Sequence, residues 1–143
     1  IVGNGLAGIS FAEIAIQQGK SIYVFDNDSQ PSSRVAGGLY NPVVLKRFSE
    51  VWKAKEQIDF AFPLYHAIQA KLNVVFDYEI PILRKLYSIE EQNNWFSRSD
   101  REGLSDYMSL EIHKNSNPFI IAEFGFGEVL ETGRVDTKLL ISE

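Results

Sequence analysis

The sequence predicts an α/β protein: a strand–helix–strand unit at its start, continued by mixed or antiparallel α+β structure. Three observations predict it. A glycine-rich turn, Gly3-Asn4-Gly5-Leu6-Ala7-Gly8, follows two apolar residues and opens a helical pattern. A five-residue run rich in β-formers, Ser21-Ile22-Tyr23-Val24-Phe25, comes next. Over residues 103 to 135, short apolar groups alternate with Gly, Ser and Asn, which suggests antiparallel strands.

Ile1-Val2 reads as the remnant of a first strand, since a buried strand normally needs about five or six residues. Residues 6–18 carry their polar side chains at Ser10, Glu13 and Gln17 with an apolar remainder, so the spacing predicts a helix buried on most of its circumference. Gly19 supplies its C′ residue. Residues 21–25 then read as a strand buried on both faces. Between Asp26 and Arg47 the composition shifts to Asn, Asp, Ser, Pro and Gly, a loop long enough to carry function. From Ser49 to about Leu72 apolar residues return at helical spacing, and Pro63 is expected to kink or split that helix. Strands are expected over 74–76 and 80–87, a capped helix from Ser88, and further antiparallel strands within 103–135, including Phe119–Ala122 and Glu128–Leu130. A helix begins near the end, with Asp136 or Thr137 as N-cap. Both ends read as cut from a longer protein.

Composition narrows the function classes. The 143 residues are 45% hydrophobic and 23% charged, which suits one globular core and excludes a disordered chain. A net charge of −5 gives no basic field to gather phosphate backbones, so no nucleic-acid partner is expected. There is no Cys and only two His, so disulfides, thiolate nucleophiles and cysteine metal sites drop out; no metal site is expected. That usage fits a reducing, cytoplasmic setting. No apolar run approaches the roughly 20 residues that span a bilayer.

The chemistry is concentrated in the glycine turn. Gly3 allows the tight turn, Gly5 lets backbone approach a pyrophosphate, and Gly8 lets the helix pack closely, while Asn4, Leu6 and Ala7 contribute amides at a helix N-terminus. Asp26, at the end of the second strand with Asn27 beside it, is placed to accept hydrogen bonds from a ribose. Asp26 and Asp28 together would repel a 2′-phosphate, which disfavours NADP. The turn and the acid suit NAD and FAD alike. A non-catalytic dinucleotide-binding protein also remains open.

The loop after the second strand separates those readings. Ser33-Arg34-Val35-Ala36-Gly37-Gly38-Leu39-Tyr40-Asn41-Pro42 resembles the Ser-x-Ala-Ala-Ala-Gly-Met-x-x-Pro segment of the D-amino-acid oxidase-like family of FAD-dependent oxidoreductases, which includes glycine and sarcosine oxidases, with Leu39 in place of Met. Gly38 to Pro42 is also similar to a Gly-Ala-Leu-Tyr-Pro stretch of tRNA methylaminomethyl-uridine oxidases. Near the end, Gly133-Arg134-Val135-Asp136-Thr137-Lys138-Leu139-Leu140 resembles the family's Gly-x-Val-Asp-Pro-x-x-Leu segment, with Thr137 instead of Pro. The resemblance implies a Rossmann-type FAD-binding unit over 1–47, a long helix over 48–72, the first part of a substrate domain over 73–131, and a return toward the FAD-binding part over 132–143. It implies oxidation of the C–N bond of a small amine or amino acid by hydride transfer to flavin. An NAD-dependent dehydrogenase is the alternative enzyme class.

In that setting Ser33 is a phosphate donor, and Arg34, Ala36, Gly37 and Gly38 bring backbone amides toward the pyrophosphate or the flavin edge. Lys46 and Arg47 read first as a solvated basic pair; the further reading is a cation that stabilises reduced flavin. His66 and His113 read as packing or surface residues, and Glu90, Glu91 and residues 100–102 as solvated faces.

Overall fold

The computed structural model describes residues 1–27, 29 and 31–142. Asp28, paired above with Asp26 against a 2′-phosphate, lies outside the described residues. Among the described residues the chain is mixed α/β, with five helices and small sheets. In order it runs α1 (Leu6–Gln17), α2 (Ser32–Val35), β1 (Leu39–Tyr40), β2 (Val43–Val44), β3 (Ser49–Glu50), α3 (Ala54–Leu72), β4 (Asp77–Glu79), β5 (Ile82–Lys85), α4 (Ile89–Ser99), β6 (Met108–His113), β7 (Phe126–Val129), β8 (Gly133–Val135) and α5 (Thr137–Ser142). Three antiparallel sheets result, ordered β1-β8-β4, β2-β3 and β5-β7-β6.

At the N-terminus the expected strand pair reduces to one parallel bridge, Val2 with Phe25. The Gly3 amide donates to the Phe25 carbonyl (2.8 Å) and the Phe25 amide to the Ile1 carbonyl (2.9 Å). Residues 21–25 are not buried on both faces: Tyr23 is 79% and Phe25 67% exposed. The expected burial of α1 is corrected in the same way, for none of its residues is buried and Phe11 and Ile16 face solvent. An apolar helix buries itself only where a sheet or helix covers it. Here α1 has one bridge beside it and α5 against it, and only Leu6 and Ile14 pack onto a core. Its C-terminus closes as the composition predicts: Gly19 is left-handed (φ +70°), with amides of Gly19 and Lys20 returning to Ile16 and Ala15.

Helix α3 starts five residues later than the periodicity from Ser49 implies, because Ser49 and Glu50 are spent on the β2–β3 hairpin. It runs unbroken through Pro63. Pro63 and Asp59, whose carbonyl loses its helical partner, both lie on the exposed side of the helix. On the opposite face Leu64 and Ile68 join Phe76, Val135 and Leu140 in one core, and Tyr65 meets Phe76 edge to face at 6.0 Å. The strand expected over 74–76 falls instead on Asp77–Glu79. Phe76 is fully buried, and the Gln69 side-chain oxygen accepts from the amides of both Phe76 and Asp77 at 2.9 Å.

A second core gathers Val43, Phe48, Leu86, Trp95, Met108 and Val129. Trp95 on α4 is fully buried, donates to the Ser109 carbonyl (2.8 Å) and meets Phe48 edge to face at 5.2 Å. Losing such a side chain costs about 3–5 kcal/mol. Helix α4 is capped by Ser88, whose hydroxyl accepts from the Glu91 amide (3.0 Å). Glu91 is not part of a solvated face as expected: it accepts from the Tyr87 amide (2.7 Å) and pairs with Arg84 (2.6 Å). Phe119–Ala122 is not a strand. Asn115 and Asn117 fold residues 115–120 back through side-chain bonds and leave Phe119 94% exposed. No helix among the described residues is long and apolar enough to cross a membrane.

One ion pair ties α1 to α3: Lys71 reaches Glu13 at 2.7 Å and, as its hydrogen-bond donor, holds the carboxyl below the usual glutamate range. A carboxyl depressed by folding contributes stability that is present above its unfolded pKa and lost as pH falls through its folded pKa. Glu13→Gln should therefore lower stability by up to about 1 kcal/mol near neutrality. The difference should fade in acid, as urea midpoints of both proteins at neutral and low pH would show.

Candidate functional site

The glycine turn folds as it does because Gly3 adopts a backbone conformation that side chains disfavour and Gly8 has no room for one. Gly3 has φ +94°, and a Cβ on Gly8 would stand 2.1 Å from the Gly3 carbonyl oxygen. Gly8 thus lets the first turn of α1 rest on the backbone that enters it. Gly5 is the N-cap in extended conformation, without a side-chain cap, and the first helical bond runs from Ile9 to Gly5 (3.0 Å). The amides ahead of Ile9 have no intrahelical acceptor and concentrate partial positive charge at this end of the helix.

Two side chains from the following loop close on that end. The Leu6 amide donates to the Ser33 hydroxyl oxygen (3.3 Å), and the Asn4 amide donates to the Asp26 carboxylate. Because Ser33 accepts from Leu6, its own hydroxyl proton is available to donate outward. Asn27 turns the chain by accepting from the Ser29 amide (3.1 Å). Together these segments enclose a cavity of about 580 Å³, lined by Val2–Gly5, Phe25–Asn27, Ser29, Ser32 and Ser33. Asp26 is the single charged side chain among the described lining residues. The cavity therefore offers donors at its helix end, from amides and serine hydroxyls, and a carboxylate acceptor where Asp26 stands.

The sequence-predicted residues divide into two groups. Gly3, Asn4, Gly5, Asp26, Asn27 and Ser33 line the cavity, and Arg34 lines a smaller recess beside it with Ile141 of α5. Leu6 packs toward the core, Ala7 is exposed and Gly8 lies beneath the turn. Ala36, Gly37 and Gly38 do not line the cavity. Ala36 and Gly38 anchor the loop to β8 and α5: Thr137 donates to the Ala36 carbonyl (3.3 Å), Val135 donates to the Gly38 carbonyl (3.0 Å), and a Cβ on Gly38 would fall 1.9 Å from the Val135 oxygen, while Gly37 faces open space. Lys46 and Arg47 are exposed in the turn of the β2–β3 hairpin, outside the cavity lining. His66 is exposed on α3, and His113 contacts Glu128 at 2.9 Å. Ser29 and Ser32 line the cavity without having been singled out; the serine-rich composition of the loop was the signal for them.

Among the described residues no group of three or more His, Cys, Asp or Glu could hold a metal. No protein-family model matches the sequence, and no solved structure matches the fold.

Gly8→Ala should push α1 off the Gly3 carbonyl and lower stability by about 1–3 kcal/mol. Ser33→Ala, which strips the Leu6 amide of its acceptor, should cost about 1 kcal/mol. Urea unfolding of the two variants against the parent chain checks both values.

Proposed function

We propose that the chain binds FAD through the cavity at the α1 N-terminus and belongs to an oxidoreductase that oxidises the C–N bond of a small amine or amino acid. The observation that carries the proposal is one cavity that brings two kinds of polar group together. The head of α1 at Gly5 and the Ser32 and Ser33 hydroxyls supply donors. The Asp26 carboxylate, held by the Asn4 amide, supplies an acceptor in the same lining. A dinucleotide needs both: donors for its pyrophosphate and an acceptor for ribose hydroxyls. About 580 Å³ suits the adenosine and pyrophosphate portion of such a ligand.

On this reading the Val2–Phe25 bridge and α1 are the core of a Rossmann-type βαβ unit. The Gly5 amide and the Ser32 and Ser33 hydroxyls would hold the pyrophosphate, and Asp26 the ribose. Sheet β5-β7-β6 with α4 begins the substrate domain, and β8 with α5 returns the chain to the FAD-binding part. The return is supported by the pairing of β8 with β1 and by the Thr137 bond to Ala36. The preference for FAD over NAD rests on the resemblance of Ser33–Pro42 to the D-amino-acid oxidase-like segment. Bound flavin would accept the hydride from the carbon next to the amine, while the residues of this chain bind and orient.

The full-length protein that contains this chain should, as purified, show flavin absorption bands that bleach anaerobically with one member of a panel of small amines and amino acids, whereas the 143-residue chain by itself should be inactive. A colourless protein that takes up NAD and not FAD would sink the proposal. Asp26→Asn should weaken FAD binding by about tenfold, the loss of one charge-assisted hydrogen bond. The Lys46→Ala, Arg47→Ala double variant should bind FAD as the parent does, both measured by flavin fluorescence titration.

A further inference from the structure

A second cavity, of about 170 Å³, lies between α3 and the segment Tyr40–Pro42, away from the glycine turn. Its lining includes Tyr40, Phe62 and Tyr65, the aliphatic Ile58 and Ala61 and the polar Asn41 and Gln57, and none of the described lining residues is charged. Tyr40 and Phe62 form a corner, with ring centroids 5.5 Å apart and planes tilted by 59°. The Tyr40 hydroxyl donates to the Asp77 carboxylate at 3.0 Å. A phenol that donates to a carboxylate carries a more electron-rich ring, and the negative face of such a ring attracts cations.

We infer that this aromatic corner is a binding site for the ammonium end of a small alkyl amine, with Tyr40 and Phe62 as its cation-binding walls and the Tyr40–Asp77 hydrogen bond as its polarising element. Calling that amine the substrate rests on the amine-oxidising reading above; the ammonium site itself does not.

The electrostatics around the corner has the sign a cation requires. Burial raises the Tyr40 hydroxyl pKa, with its bond to Asp77 and the nearby charge of Glu79 acting in the same direction, so the phenol stays neutral in a negative field. Burial likewise raises Tyr65, with Asp77 contributing, and both rings remain neutral walls. Burial raises the Asp77 carboxyl pKa, while the bond from Tyr40 and the nearby His66 on α3 lower it and favour the carboxylate. Size sets the rest of the ligand class. At about 30 Å³ per liquid water, the cavity takes a ligand of about half a dozen non-hydrogen atoms, the scale of a short alkyl ammonium or a small amino acid. An anion would meet the Asp77 and Glu79 field unfavourably, and a neutral alcohol would gain the apolar contact alone.

The test compares n-butylammonium, n-butanol and butyrate as probes of the intact chain, followed by the aromatic ring-proton shifts of Tyr40, Phe62 and Tyr65 in NMR. Butylammonium should saturate those shifts with an affinity about fivefold or more above butanol, and butyrate should not bind. Phe62→Leu, which keeps bulk and removes the ring, should reduce the preference over butanol. Equal affinity for butanol and butylammonium would overturn the ammonium site, as would the absence of saturable shifts in these three rings. The comparison of probes on the parent chain stands even if the variant does not fold. FAD titration in parallel separates the two readings. A chain that prefers butylammonium but takes no FAD contradicts the proposed function and keeps the site. A chain that takes FAD but shows no ammonium preference contradicts this inference alone.

Discussion

The seating of β8 between β1 and β4 is the constraint on which the rest of the geometry depends. Residues 133–135 come from the far end of the chain, yet Gly133 and Arg134 pair with Tyr40 and Leu39 on one side, and Gly133 to Val135 pair with Glu79 to Asp77 on the other. The contact is close enough that Gly38 has to be a glycine, since its position against the Val135 oxygen leaves no space for a Cβ. Once β8 is in place, the Asp136 side chain accepts from the Leu139 amide (3.0 Å) and starts α5. Helix α5 then packs on α2 and α1. Helix α2 carries Ser33, and Ser33 meets the Leu6 amide at the head of α1. The cavity at the glycine turn is therefore shaped by residues more than a hundred positions apart in sequence.

The segment that runs from β7 into β8 joins the two cores. Val135 is buried with Leu64, Ile68 and Phe76 against α3, while Val129, just before it, is buried with Trp95 and Met108. Thr132 stands between them and is itself buried, with its hydroxyl donating to the Ile80 carbonyl (2.7 Å) and the Ile80 amide returning to the Thr132 carbonyl (3.1 Å). That exchange satisfies the polar groups where the chain crosses from one core to the other, as burial demands. The aromatic corner of Tyr40, Phe62 and Tyr65 belongs to this junction too, because Tyr40 reaches across β8 to Asp77 on β4.

What was legible in the sequence was the part governed by local rules. The glycine turn, the Gly19 helix end, the Ser88 cap and the Asp136 start are each set within a few residues, and each folds where its spacing says. Contacts between distant segments were not legible. Ala36 to Gly38 read as site residues because small residues suit a phosphate loop as well as they suit a close backbone crossing, and only the position of Val135 separates the two. The burial of α1 and of residues 21–25 was overestimated because an apolar pattern records what a segment is able to bury, while the structure sets one bridge and α5 beside it. The start of α3 was misplaced because Val51 continues the helical spacing while Ser49 and Glu50 pair in a hairpin. Phe119–Ala122 has strand-like composition, and the side-chain bonds of Asn115 and Asn117 override it.

Amide hydrogen exchange with and without FAD tests most directly whether the glycine turn is the cofactor site. Protection should rise at Asn4 to Gly8, where the helix end loses access to water, and at residues 32–35, where the serines close on the same ligand. Unchanged exchange at Asn4 to Gly8 while FAD is bound, with protection appearing elsewhere in the chain, would contradict the account.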